Sequence, residues 1–253
     1  MLIVNADDFG RRVDDTDRAL ECHRRGCLTS TSAMAFMAVS DRAAALAAQC
    51  GLPIGLHLNL SEHFSAMGVV ASLRAAHDRI CSFLKAGRYA PVLYHPLLRR
   101  DFAHVVEAQF EEFRRLYERE PAHVDGHQHM HLCTNVLFQR LLPRGIRVRR
   151  NFSFGPDEKS CINRRYRAHV DQALAGRHPL TTHFFSLSQQ MARSRLDAVF
   201  DLSRHSDVEL MIHPAWQHEF DVVMSDSFLD AFRATRDFAP PMAAGSSPRS
   251  LPS

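Results

Sequence analysis

Short apolar stretches alternate with helical patterns along nearly the whole chain. That alternation predicts the α/β class, with a parallel sheet and right-handed crossovers. Two further observations select a (β/α) barrel, seven-stranded or distorted TIM-like, over an open doubly wound sheet. A length of 253 residues is ordinary for such a barrel. The phosphate-binding signatures of open sheets, GxGxxG and GxxxxGK[ST], are also missing. One barrel domain is expected over 1–238, with an irregular insertion at about 62–100 and a disordered Pro/Ser/Gly/Ala tail at 239–253.

"MLIV" opens the first strand, and 13–25 reads as a helix stopped by Gly26. "TSTSAMAF" is the second strand, and Ser40 reads as the N-cap of a helix that Gly51 ends. "LPIGLHLNL" is the third strand. The insertion holds one helical pattern, "SLRAAHDRICSFLKAG", and then the proline-containing "RYAPVLYHPLL". The clearest helix follows, capped by Asp101, with Phe102, Val105, Val106, Phe110, Phe113, Leu116 and Tyr117 on one face. "HVDGHQHMHL" is the fourth strand end, "IRVRR" the fifth, "TTHFFSL" the sixth and "VELMIHP" the seventh. Helical patterns at 134–142, 160–175 and 194–205 lie between them, and a last one covers 226–237.

Composition narrows the functional classes. A formal net charge of +3, with no Lys/Arg run interleaved with aromatics, excludes a nucleic-acid reader. No apolar run is long enough for an integral membrane segment. The three apolar residues before Asn5 fall short of a signal-peptide core, so a cytoplasmic location is expected. The six cysteines form no CxxC pair and read as reduced thiols. Oligomeric state is not readable, and a homodimer stays open.

Sixteen histidines are many for this length, and they gather with acids at predicted strand ends. Asp7 and Asp8 close strand one, His57 closes strand three, and His127, His129 and His131 close strand four. His183 lies in strand six and His213 closes strand seven. Barrel chemistry collects at the C-terminal ends of strands. A carboxylate and two imidazoles gathered there suit one divalent metal ion, zinc or magnesium. On a strand, residues 127, 129 and 131 would share one face. A cation would also offset the repulsion between Asp7 and Asp8, one acid binding it and the other left as a base. There is no GxSxG elbow and no HExxH motif.

"VNADDFG", "TSTSAMA", "GLHLNLS", "HVDGHQHMHL" and "ELMIHPA", in that order, resemble the YdjC-like carbohydrate deacetylases. That family includes chitooligosaccharide deacetylases and a hopanoid-biosynthesis branch. The resemblance covers roughly 1–60, 101–150 and 180–215. It implies a barrel related to the glycoside hydrolase and deacetylase barrels, and removal of an acetyl group from an N-acetylated sugar or glycolipid. By motif, it implies Asp8, His57 and His127 as metal ligands, Asp7 as general base and His213 as general acid. The nucleophile would be a metal-bound water. Ser61 and Ala215 stand where the family usually has Thr and Gly.

Asp125, His129 and His131 are candidates to orient the ligands. Arg147, Arg149 and Arg150 are candidates to fix the base or to bind a sugar or phosphate group, against a solvated strand end for two of the three. The rival readings are another metal-dependent hydrolase, acting on a phosphoester or cyclic amide, and a non-catalytic sugar- or metal-binding protein.

Overall fold

The computed structural model describes residues 1–236; the tail expected at 239–253 lies outside the described residues. The chain runs β1 (Leu2–Phe9), α1 (Val13–Arg25), β2 (Ser30–Ala33), α2 (Ser40–Ala48), β3 (Ile54–Leu58), α3 (Ala71–Lys85), α4 (Arg99–Tyr117) and β4 (Val124–Gly126). It continues through α5 (Thr134–Gln139), α6 (Cys161–Ala175), β5 (His183–Ser186), α7 (Leu187–Met191), α8 (Leu196–Ser203), β6 (Val208–Ile212), α9 (Gln217–Val223) and α10 (Asp226–Arg236). Single 3₁₀ turns at Ala90–Val92 and Pro96–Leu98 and a longer one at His127–Leu132 complete the order.

Among the described residues, six strands, all parallel, form one curled sheet in the order β4-β3-β2-β1-β6-β5. The expectation of seven strands is corrected at "IRVRR". That segment makes one isolated bridge, Val124 to Val148, and no strand. Its neighbours still link the two sheet edges. Arg149 N–H donates to the Val124 carbonyl of β4, while Val148 N–H donates to Pro179 and Ser153 N–H to Phe184 on the β5 side.

Every residue of β1, β2, β3, β4 and β6 is buried, as parallel strands covered on both faces must be. The covering helices are amphipathic. In α4, Phe102, Val105, Val106, Phe110 and Phe113 are buried, each worth roughly 1.5–3 kcal/mol relative to exposure. Asp101 does not cap this helix, which begins at Arg99; it pairs instead with Arg79 of α3. Ser40 is the first residue of α2 and not its cap, because its hydroxyl donates to the Met34 carbonyl and accepts the Met37 N–H. The 62–100 insertion is more regular than its sequence suggests. It contributes α3, and His77 of that helix hydrogen-bonds the Asn59 carbonyl just beyond β3.

Candidate metal centre

Adjacent residues on a regular strand point to opposite faces, yet Asp7 and Asp8 reach the same histidine. Opposite β2, the pairing steps from Ala6↔Thr31 to Phe9↔Ala33, so β1 carries one extra residue. Asp8 takes φ 66°, a left-handed conformation that few non-glycine residues adopt. This is a β-bulge, and it re-aims one carboxylate beside the other. His57 Nε2 lies 3.2 Å from Asp8 Oδ1, and its Nδ1 lies 4.0 Å from Asp7 Oδ2.

The repulsion between the acids is met by separate partners. The Arg149 guanidinium grips both oxygens of Asp7, at 2.6 and 2.7 Å, and Asn5 donates a further hydrogen bond at 2.9 Å. Asp8 accepts from Arg11 at 3.1 Å and contacts His127 Nδ1 at 2.8 Å. Burial works against the charge of Asp8, but hydrogen bonds from His127 and His57 hold its carboxyl well below the usual range. Burial likewise opposes a proton on His57, yet Asp125 and Asp7 push its imidazole up to about 10. His127 is raised against burial by Asp8 and Glu62. Both rings are held ready for positive charge.

Asp125 decides how His57 presents itself. It takes His57 Nδ1 at 2.8 Å, leaving Nε2 free to face Asp8. Among the described residues, two triads bring ligand atoms within 4.8 Å of one another: Asp8, His57 and His127, and Asp7, His57 and Asp125. The second is already filled by protein charge, because Arg149 ion-pairs with Asp7 and Asp125 at 2.6 and 2.7 Å. A cation there would meet a guanidinium. The first triad offers one carboxylate and two imidazoles that both converge on Asp8 Oδ1, a donor set that fits a divalent ion.

The three histidines of "HQHMH" do not share a face. Residues 127–132 form a 3₁₀ helix in place of a strand, with Gln128 and His129 at φ 52° and 60°. The rings therefore diverge. His127 turns to Asp8 and Glu62, and His129 packs edge-on against Phe152 and Phe184. His131 Nε2 meets the Arg149 carbonyl at 3.0 Å. Burial keeps His129 and His131 neutral, His131 pushed down to about 4. His131 also explains Gly126, where a Cβ would meet its ring at 2.9 Å. His183 begins β5, away from the acids, and lines a different cleft with Arg150.

His213 directly follows β6, whose pairing with β1 ends at Ala6↔Ile212, one residue before Asp7. Its ring stacks on Trp216 at 4.3 Å, and its backbone N–H donates to Glu219 at 2.5 Å. Glu219 is fully buried. Of the three arginines in "IRVRR", Arg149 is the one that holds an acid of the site; Arg150 pairs with Asp171 at 2.9 Å.

Sequence reasoning passed over Arg11, Glu62, Glu209 and Glu219. Glu62 contacts His127 Nε2 at 3.1 Å and Arg11 at 2.7 Å, and the His127 hydrogen bond brings its carboxyl down to about 2. Glu209 pairs with Arg149 at 2.6 Å. A charged residue inside the apolar run "VELMI" was the available signal, since buried charge demands a partner.

The sequence matches the YdjC-like protein family over residues 1–234. The chain belongs to the YdjC-like family. A chitooligosaccharide deacetylase of Klebsiella pneumoniae (strain 342) is 30% identical over 229 residues, 85% of this chain and 82% of that protein. A chitooligosaccharide deacetylase of Serratia marcescens is 36% identical over 141 residues, 54% of this chain. That match spans 52% of the Serratia protein, about half its length. A crystal structure of a putative cellobiose-phosphate cleavage protein from Enterococcus faecalis V583 shares the fold, with TM-score 0.65 and 17% identity. The likeness covers 92% of this YdjC-like chain and 94% of that one.

Proposed function

We propose that this YdjC-like protein is a metal-dependent hydrolase that removes an acetyl group from an N-acetylated sugar, as the names of its relatives suggest. The observation that carries the reading is the convergence of His57 and His127 on one oxygen of Asp8, with the separately clamped Asp7 beside them. Asp8, His57 and His127 would hold the ion. When bound, a divalent cation polarises an amide carbonyl and acidifies water.

The protein's own residues account for the proton transfers. Asp7, held in one orientation by Arg149 and Asn5, would be the general base that takes a proton from the attacking water. Asp125 fixes the tautomer of His57. His213, just past the strand that pairs with β1, returns a proton to the departing amine, a poor leaving group until protonated.

Acetate release from N-acetylated chitooligosaccharides, with protein and divalent metal, tests the activity. Asp7→Asn should keep its metal and lose turnover by a factor on the order of hundreds. Metal loss in Asp7→Asn with retention in Asp8→Asn would reverse the two acids. His213→Ala should slow hydrolysis of an acetamide far more than that of an acetate ester, whose leaving group needs less help. Equal slowing would remove His213 from the acid role.

A further inference from the structure

On the opposite side of β5 from the acids lies a cleft of about 510 Å³, walled by residues 150–158, α6 and α8. Phe184 and Ser186 of β5 are buried, and Phe184 carries the Arg149 guanidinium over its ring, whereas the alternate residues His183 and Phe185 line the cleft. Four guanidiniums, of Arg150, Arg164, Arg167 and Arg195, face two carboxylates, of Glu158 and Asp171.

Both carboxylates are already engaged. Asp171 takes Arg150 at 2.9 Å and two hydrogen bonds from Asn151, and Glu158 takes Arg193 at 3.3 Å. Arg195 pairs with Asp157 at 2.9 Å. The other two arginines have no such partner among the described residues. Arg167 bonds neutral amide oxygens of Asn163 and Asn151, at 2.9 and 3.1 Å, and lies over Phe154. The Arg164 guanidinium makes no hydrogen bond or ion pair among the described residues, although its Nε is shielded from water. Lys159 also stands over Phe154, at 5.3 Å. Asp171 acts on Arg167 from nearby but is taken by Arg150 and Asn151, so neither guanidinium has an ion-pair partner among the described residues and the cleft lining carries surplus positive charge.

We propose that this cleft is a binding site for a phosphate dianion, free or as a small phosphate monoester, held by Arg164 and Arg167. The charge of such a group, close to −2 at neutral pH, matches the two unpaired cations. Guanidinium forks are also suited to its paired oxygens.

Calorimetric titration with inorganic phosphate, and separately with phenyl phosphate, tests the site at constant ionic strength. Saturable binding is expected, with Arg164→Gln and Arg167→Gln each weakening it at least about tenfold. Arg165→Gln, on the exposed side of the same helix, should leave it unchanged. Arg164→Gln is the decisive variant, because that side chain holds nothing else in the fold. Tighter binding of phenyl phosphate would identify an ester as the ligand and tighter binding of inorganic phosphate the free ion; either supports the site. Undiminished binding in Arg164→Gln and Arg167→Gln would place the anion elsewhere, and heat reproduced by sodium chloride would reduce it to screening. Either result overturns the proposal.

Discussion

Replacing Arg149 with Met removes the cation on which three buried carboxylates depend. Its side chain is fully buried and ion-pairs with Asp7, Asp125 and Glu209 at 2.6, 2.7 and 2.6 Å. Breaking a buried ion pair from one side costs about 3–5 kcal/mol, because the remaining charge is left uncompensated. For a chain of this size that is a fall of roughly 6–20 °C in melting temperature. The loss must depend on pH. Burial opposes ionisation of Asp125, but Arg149 and His57 hold its carboxyl well below the usual range. A depressed carboxylate stabilises the native state above the unfolded value of about 4, and that contribution fades as pH falls. Without Arg149, the largest force holding Asp125 down is gone and burial pushes its carboxyl up, as it already does for Glu209. Raised acids contribute most at low pH and lose that contribution as pH rises. The gap between wild type and Arg149→Met should therefore be narrow near pH 4.5 and wide at pH 8. Urea denaturation at both values reads it. Glu209→Gln in the Arg149→Met background should recover part of the loss, since one stranded charge is gone. A gap under about 1 kcal/mol, or one equal at both pH values, would refute the reasoning.

Three other outcomes follow from the same geometry. His57→Ala should lose bound metal by elemental analysis while His129→Ala keeps it, because His129 packs on Phe152 and Phe184 and not on Asp8; the reverse pattern would dismiss the ligand set. Gly55→Ala places a Cβ 2.5 Å from the buried His123 ring and should cost about 1–3 kcal/mol, partly restored by adding His123→Ala; a neutral Gly55→Ala in thermal melts would contradict that packing. Burial pushes His77 down to about 4, so it favours the native state while neutral, and stability should fall as pH drops from about 6.5 towards 4. His77→Gln should flatten that slope, and an unchanged slope in denaturation titrations would assign it to other groups.

Much of this architecture was legible in one dimension because it is written in local pattern. Alternating apolar runs and 3.6-residue stripes marked β1, β3, β6 and α4, and glycine marked the end of α1, since these signals act between near neighbours. The acids of "ADDFG", His57 and His213 could be placed at strand ends for the same reason. What escaped depends on contacts between distant segments. "IRVRR" has the apolar pattern of a strand, but its backbone bonds are divided between β4 on one side and the β5 region on the other, leaving one bridge. The alternation in "HQHMH" suggested one histidine face, yet the left-handed turn at Gln128 and His129 sends the rings three ways.

The sequence alone determined which chemical groups arrive at the centre: two adjacent acids, an imidazole on the third strand and another after the fourth. Only the tertiary structure decided how each is held. The bulge at Asp8 rotates one acid beside the other, and Arg149, 142 residues away, secures Asp7. Side-chain periodicity is a property of neighbours along the chain. A counter-charge belongs to whichever distant residue the fold brings near, so no local pattern could assign Arg149 to Asp7 and Glu209, or Glu62 to His127.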